Sequence, residues 1–498
     1  MRLLVVDHAF HKRTRSNAFF IEILEDFFEL TLIHVDPTDH AGLIALEAVE
    51  DVDLVLLWQM DFLAPIFLAR GLPTAVVPMY DGSSEMPDLH WIWARHAYFV
   101  NFSRTLHERV RRMRATSLNL KYFGAPAPES SLPRFDDGLH VFLWHRCPEK
   151  GINLRAVETL FGDQLASVHI HDAPDDPRID RLGHLVPARG DYRLTVSTWF
   201  DQRAAYERVI ERCNVFVAPR RTEGIGLGFI EAMANGMLIV APDQPTHNEY
   251  LANWLNGVLF NPDNVSYARF DEAAGIARLG WQTVRDGHRL WLESLPKLVA
   301  FLQSTPKPPP MPGIDTALLA RGLVRAYLGG SEAYRRYLLA HADTVACMSG
   351  MDLQGRLTAD GTLMPPHRQH ARTNPFRAGK EMPWLPQNRL RFADGAPHRY
   401  LLSGRLEVGD SASFGFRIDL GLGAPRQLHL SIAVGDDADA RLCVGINGWT
   451  AGFLTLEPGE QVVALDLPPQ AIATDNVLSF QLGGGGGRRF GVESWSLT

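Results

Sequence analysis

The chain has 498 residues, enough for about three domains at roughly 150 residues each, and its 46% hydrophobic and 21% charged content excludes a disordered or fibrous protein. A formal net charge of -8 and a pI near 6.2 exclude nucleic acid as the principal partner, because a phosphate-binding surface needs a net basic face. Four widely spaced cysteines, Cys147, Cys213, Cys347 and Cys443, fit neither a disulfide framework nor a paired-thiolate zinc site, so a reducing cytoplasmic setting is expected. The start MRLLVVDHAFHKR reads as lacking a signal peptide. The apolar stretch 54–78 is interrupted by Asp61 and Arg70, so no spanning helix is expected.

From the start, short apolar runs alternate with helix-length amphipathic segments: RLLVVD, NAFFIEILEDFF, LTLIHVD, DLVLLW, TAVVPMYD and YFVNFS. Strands that read as continuous apolar runs belong to a parallel sheet covered on both faces. This predicts a doubly wound, Rossmann-like α/β domain over 1–132, ending at the Pro/Ser-rich GAPAPESSLP. The pattern restarts with HVFLWHR, SVHIHDA, RLTVSTW, NVFVAP, MLIVAP and GVLFNP, giving a second such domain over 133–304 that closes on a long helix. Residues 305–390 open on TPKPPPMPG, an extended proline spacer, and continue as a helical and then irregular connector. From 391 to 498, alternating runs, the Asn447-Gly448 pair and frequent glycines predict an antiparallel β-sandwich. With eight Arg, no Lys and twelve acidic residues, it carries half of the net charge.

In open parallel sheets, ligands bind beyond the carboxyl ends of the strands. His8, His11, Lys12 and Arg13 follow the first strand, and Tyr80 and Asp81 follow TAVVPM. His145, Arg146 and Lys150 follow HVFLW, and Arg220 and Glu223 follow NVFVAP. Two facing sheets would bring these edges together across an interdomain cleft. The densest signal is the loop Gly224, Ile225, Gly226, Leu227, Gly228, which runs straight into the helical FIEAMAN. Missing side chains let backbone amides approach an anion, and a helix N-terminus favours negative charge, so the loop suits a phosphate or sugar phosphate. Glu223 in the loop and Glu231 on the helix would address different parts of one ligand. GIGLG followed by Asp243 is not a dinucleotide fingerprint: the spacing is G-x-G-x-G, and RRTE separates it from the strand. Asp51-Val-Asp53 mimics a metal-binding D-x-D but precedes its strand, on the wrong edge.

The stretch from Glu223 to Gly236, EGIGLGFIEAMANG, resembles the family-4 retaining glycosyltransferases of two-Rossmann-domain (GT-B) architecture, as do HRCPEKG, THNEY and GVLFNPDN. The resemblance implies that Glu231 hydrogen-bonds the donor ribose, Glu223 sits beside the donor sugar, residues 224–228 line sugar and diphosphate, and Arg146 and Lys150 neutralise the diphosphate. Trp199 falls where the family places the nucleotide base, with base stacking and simple packing both open. Tyr80 replaces the usual His near the donor sugar, and HAFHKRTRSN replaces the usual glycine-rich loop after the first strand. Asp81, His8, His11, Lys12 and Arg13 are therefore candidates for acceptor contacts. The family implies retention by front-face attack, with Glu223 as a covalent nucleophile the alternative.

The resemblance further implies no metal and no cofactor, a UDP- or GDP-linked sugar as donor substrate, and a glycan or lipid-linked glycan acceptor. Bacterial surface polysaccharide biosynthesis (O-antigen, capsule or exopolysaccharide) is the pathway expected. Segment 104–121, with six Lys/Arg against one Glu, is a candidate peripheral contact with anionic lipid at the inner face of the plasma membrane, or a solvated helix face. The C-terminal part resembles jelly-roll carbohydrate-binding or accessory modules in VGINGWTAGFLTL and DNVLSFQL, with Trp449 and Trp495 as sugar platforms; an assembly role is the alternative. Other enzymes of the architecture, such as a sugar-nucleotide epimerase or a phosphorylase, and a catalytically inactive glycan-binding scaffold are rival readings.

Overall fold

The computed structural model describes residues 1–353 apart from 37, 175–184, 189, 199, 201–202 and 312, then 357, 361 and 363, and beyond these the C-terminal strands with 457 and 467. The chain divides into two units, Met1–Tyr122 with Trp291–Ala371, and Phe123–Leu290 with Arg372–Thr498.

The first unit contains β1 (Arg2–His8), β2 (Glu29–Val35), β3 (Leu54–Trp58), β4 (Thr74–Val77), β5 (Tyr98–Asn101) and β6 (Thr116–Asn119). They form one parallel sheet in the order β2-β1-β3-β4-β5-β6. Every residue of β3 and β4 is buried, as expected of central strands covered on both faces. The order in which successive strands are added reverses between β1 and β3, so the switch point lies beside the residues that follow β1. At the opposite edge Arg2 faces Asp51 at 3.7 Å and Asp53 at 3.5 Å, confirming that these aspartates stand at the amino end.

Two expectations for this unit change. Segment 104–121 is not one helix: Ser103 caps the helix Arg104–Arg112 through its hydroxyl, and β6 follows. Its basic face is also thinner than the sequence suggests, because Arg109 turns inward onto the carbonyls of Ser84 and Met86 and onto Asp88. The segment read as a connector, in turn, supplies core. Helices Thr316–Leu328, Ser331–Ala340 and Ala342–Ser349 bury Leu319, Leu323, Tyr334, Leu338, Val345 and Met348 in the same cluster as Leu57, Phe62 and Trp91. Isolated helices this short are marginal, and their apolar stripes are stabilised by this packing.

The second unit contains β7 (Leu139–Trp144), β8 (Leu165–His171), β9 (Arg193–Ser197), β10 (Val215–Val217), β11 (Leu238–Pro242) and β12 (Val258–Phe260). They form a second parallel sheet, β12-β11-β10-β7-β8-β9, with its switch point between β7 and β10. The boundary falls at Tyr122/Phe123 rather than at 132, because the following residues belong here: Phe123 packs on Tyr250, the Ala127 amide donates to the Ala234 carbonyl, and Trp281 donates to the Ala127 carbonyl. The helix Ala273–Gln303 is shared, passing from the second unit to the first at Leu290/Trp291. The C-terminal strands form two antiparallel sheets. In one, the alternate residues Leu428, Leu430 and Ile432 are buried, as in a sheet with one face covered, whereas in the other Leu442 to Ile446 are buried without a break, Cys443 against Ala252 and Leu255. The side chains of Trp449 and Trp495 lie outside the described residues.

Candidate functional site

At the β7/β10 switch point the loops 145–153 and 218–226 leave neighbouring strands. His145, the first residue after β7, is buried, and its amide donates to the His171 carbonyl at 2.9 Å. Arg146 lies with its guanidinium carbon 4.9 Å from the Trp144 ring centroid, a cation–π geometry that limits where the charge can wander. Lys150 ends the turn Pro148–Lys150 and is exposed. Sequence reasoning passed over Arg221, whose only signal was the doublet with Arg220. Its Nε donates to the Lys150 carbonyl at 2.8 Å, and its two terminal nitrogens hold both Asp263 oxygens at 2.9 and 2.6 Å. One side chain thus ties together the loops following β7, β10 and β12. The hydrogen bonds to Asp263, and then its charge, raise the Arg221 pKa against the effect of burial, keeping the clasp charged. Gly151 takes φ +87° beneath it, where a Cβ would lie 3.1 Å from the Pro262 carbonyl oxygen.

Gly226 takes φ +88° and is the N-cap of the helix Leu227–Ala234. The first amides of that helix have no intrahelical acceptor, so Leu227 and Gly228 offer N–H groups at its positive end. The Ile225 side chain is buried, leaving its backbone as the part facing the loop. The Glu223 carbonyl accepts from the buried Thr246 hydroxyl at 3.1 Å, which fixes the loop to the turn after β11. Glu231 follows eight residues later, partly exposed, about one turn into the helix. The glycines follow β10 rather than β7, the strand that begins this sheet. A dinucleotide fingerprint requires the first strand–helix turn, so that reading is excluded.

Gly226→Ala is expected to destabilise the protein by about 2–4 kcal/mol, since it loses a left-handed residue and drives a Cβ into the Phe229 ring. Gly228→Ala, whose Cβ would stand 3.6 Å from Phe216, is expected to be neutral or stabilising by up to about 1 kcal/mol, as Ala is the better helix former. Thermal unfolding of the two variants checks the contrast.

Flanking the loops, His171 stacks on Phe200 at 4.8 Å and meets Trp144 edge-on at 5.3 Å, so Arg146, Trp144, His171 and Phe200 form a continuous stack at the ends of β7 and β8. Burial, followed by the neighbouring His169, pulls the His171 pKa down to about 4. His247 is fully buried against Phe229. Burial holds its pKa at about 3 despite nearby backbone acceptors of Arg221 and Pro242, so it is a neutral ring at physiological pH. Trp199 lies outside the described residues.

The other predicted residues stand in the first unit. His8, half-buried, accepts from the Phe10 amide at 3.0 Å, and burial and then His11 lower its pKa. His11 is not a surface contact: it is 7% exposed, with Nδ1 2.5 Å from the fully buried Asp7. Asp7 also accepts from Asn17 at 2.8 Å and faces His34 at 3.4 Å. Lys12 is exposed, and the Arg13 side chain lies outside the described residues. Tyr80 and Asp81, both partly buried, open the short helix Tyr80–Ser83 after β4.

Residues 194–270 match the family model described as Glycosyl transferases group 1. No curated protein matches the chain. Among solved structures, the apo lipopolysaccharide outer core galactosyltransferase WaaB is 12% identical, with a TM-score of 0.41 and coverage of 61% of this chain and 100% of that one. HepE of Anabaena in complex with UDP-glucose is 14% identical, with a TM-score of 0.40 and coverage of 61% and 99%. Sucrose-phosphate synthase from Thermosynechococcus elongatus is 14% identical, with a TM-score of 0.39 and coverage of 69% and 98%. The second unit thus carries a glycosyl transferases group 1 segment, which spans its glycine loop, both glutamates and Arg221.

Proposed function

We propose that the protein is a retaining glycosyltransferase that moves a sugar from a UDP- or GDP-linked donor to a glycan or lipid-linked glycan acceptor. The carrying observation is the loop 223–226 running into the N-terminus of the helix Leu227–Ala234 at the β7/β10 switch point, inside the segment that matches glycosyl transferases group 1. A donor diphosphate gains charge as its bond to the sugar breaks, so oriented amides and fixed cations lower the barrier. Amides of residues 224–228 and the cations Arg146 and Lys150 supply these, while Glu231 holds the ribose and Glu223 the donor sugar. The acceptor oxygen attacks the anomeric carbon on the face the phosphate leaves. The carbon–oxygen bond to phosphate breaks with its electron pair, and the departing phosphate oxygen takes the acceptor's proton.

On the acceptor side we place Asp81, His8, Lys12 and Arg13, with His11 acting through its bond to Asp7, and Tyr80 beside the donor sugar. Bacterial surface polysaccharide assembly at the inner face of the plasma membrane, with Arg104–Arg112 against anionic lipid and the C-terminal sheets as a carbohydrate-binding or assembly module, completes the proposal. Among the described residues no helix is long and apolar enough to cross a membrane.

A screen of UDP- and GDP-sugars for nucleotide release tests the reaction, and NMR of the anomeric product tests its stereochemistry. At least one donor is expected to turn over, with an unchanged rate in EDTA and a retained anomeric configuration. Loss of activity in EDTA would overturn charge neutralisation by protein cations alone.

A further inference from the structure

Asp81, proposed for the acceptor side, lies in a segment, 79–88, that is bonded at several points to buried polar groups; one of these routes ends in the helical extension 316–349 and another at Leu363 beyond it. In the first, Ser83 donates to Asp61 Oδ2 at 3.1 Å, His90 Nε2 lies 2.7 Å from the same oxygen, and His90 Nδ1 lies 2.8 Å from the Tyr334 hydroxyl. All four residues are buried, none more than 6% exposed. One proton arrangement satisfies every group. Tyr334 donates to Nδ1 of a neutral His90, whose Nε2–H donates to an ionised Asp61, which also accepts from Ser83. Burial disfavours the Asp61 charge, but the bonds from His90 and Ser83 outweigh it and hold the carboxyl below its ordinary range, while burial and then the Asp61 charge keep Tyr334 protonated.

The second route starts at the other end of the segment. Asp88 accepts from the Leu363 amide at 2.8 Å and from Arg109 at 3.3 Å, and Arg109 also donates to the carbonyls of Ser84 and Met86. Around the first route, Tyr327 of the extension stacks face to face on Phe62 at 3.7 Å. An extension needed only for core would require apolar contacts. A buried chain of four polar side chains is costly unless complete, and this one terminates on Ser83, two residues from Asp81.

We infer that the helical extension is a positioning element for segment 79–88, with Tyr334 the positioning residue that acts through His90, Asp61 and Ser83. The catalytic half of this inference rests on the proposal that Asp81 faces the acceptor; the structural half does not.

Tyr334→Phe keeps the ring and removes the hydroxyl. In the full chain it is expected to speed amide hydrogen exchange within 80–88 about tenfold, by raising the population of a locally opened state. It is also expected to raise the acceptor KM at least about fivefold, with kcat and donor KM within about twofold. Thr316→Val, which breaks the extension's bond to Glu47 at 2.6 Å, controls for general loosening and is expected to leave exchange in 80–88 unchanged. Unchanged exchange in Tyr334→Phe, or equal acceleration in both variants, overturns the positioning role. Faster exchange with an unaltered acceptor KM leaves positioning intact and overturns the acceptor-side assignment of Asp81.

Discussion

Arg146→Ala is expected to lower kcat about a thousandfold while donor KM rises about tenfold or less, the pattern of an interaction that strengthens as charge develops on the leaving group. The asymmetry follows from geometry. Arg146 is the first basic residue beyond β7 at the switch point, and its guanidinium is restrained over Trp144, so little reorganisation is needed when the phosphate leaves. Arg146→Lys is expected to recover only part of the rate, because an ammonium neither stacks on the indole in the same way nor presents a planar fork. Lys150→Ala should lower kcat less, about tenfold to a hundredfold, since a solvent-exposed charge acts through a higher effective dielectric. Steady-state kinetics of the three variants with the donor identified in the screen provide the check. Equal losses in kcat and in donor binding would show that Arg146 grips the ground state instead.

Acidification is expected to unfold the second unit before the first. His247 titrates at about 3 in the folded protein, against roughly 6.5 for an unfolded histidine. The sign follows from proton uptake: above 6.5 neither state is protonated, and as pH falls the unfolded chain takes up the proton first. Stability is therefore lost progressively from pH 6.5 downward. At pH 5 the His247 loss is about 2 kcal/mol, at about 1.4 kcal/mol per pH unit. His171 in the same unit and His107 in the first, both at about 4 because burial disfavours their charge, add in the same direction, reduced by solvent screening. For His107 the cations Arg111, Arg104 and Lys297 reinforce burial. Asp243 opposes: burial raises its carboxyl above the usual range despite the bond from Asn248, so its protonation recovers part of the loss. Melting curves from pH 7 to 4 should show the second unit's transition falling faster, and His247→Gln should flatten it. A transition that holds its temperature down to pH 4.5 would contradict the buried, neutral assignment of His247.

Both parallel sheets were legible because buried parallel strands leave apolar runs that no helix period explains, as DLVLLW does for β3. The glycine loop was legible for a different reason: Gly226 occupies a backbone conformation that other residues rarely adopt. What stayed hidden depends on pairing between distant residues. HKRTRSN reads as an open basic loop, and nothing local says that the buried Asp7, itself held by Asn17 and facing His34, draws His11 inward. Arg221 looks like any solvated arginine until Asp263 and the Lys150 carbonyl are placed beside it. The alternating charge and Leu pattern of 316–349 announces helices but not their partner, so integral core of the first unit read as a connector. Basic spacing from 104 to 121 likewise concealed the break before β6 and the inward turn of Arg109.

Calorimetric titration of UDP- and GDP-sugars into wild-type protein and Glu231→Ala tests the central claim most directly, because it requires no acceptor. At least one donor should bind the wild type, and Glu231→Ala should weaken it at least about tenfold, the loss of a charged hydrogen bond to the ribose, while Glu223→Ala stays within about threefold. Absence of binding at millimolar donor, or binding indifferent to Glu231→Ala, would contradict the assignment of this loop and helix to a nucleotide sugar.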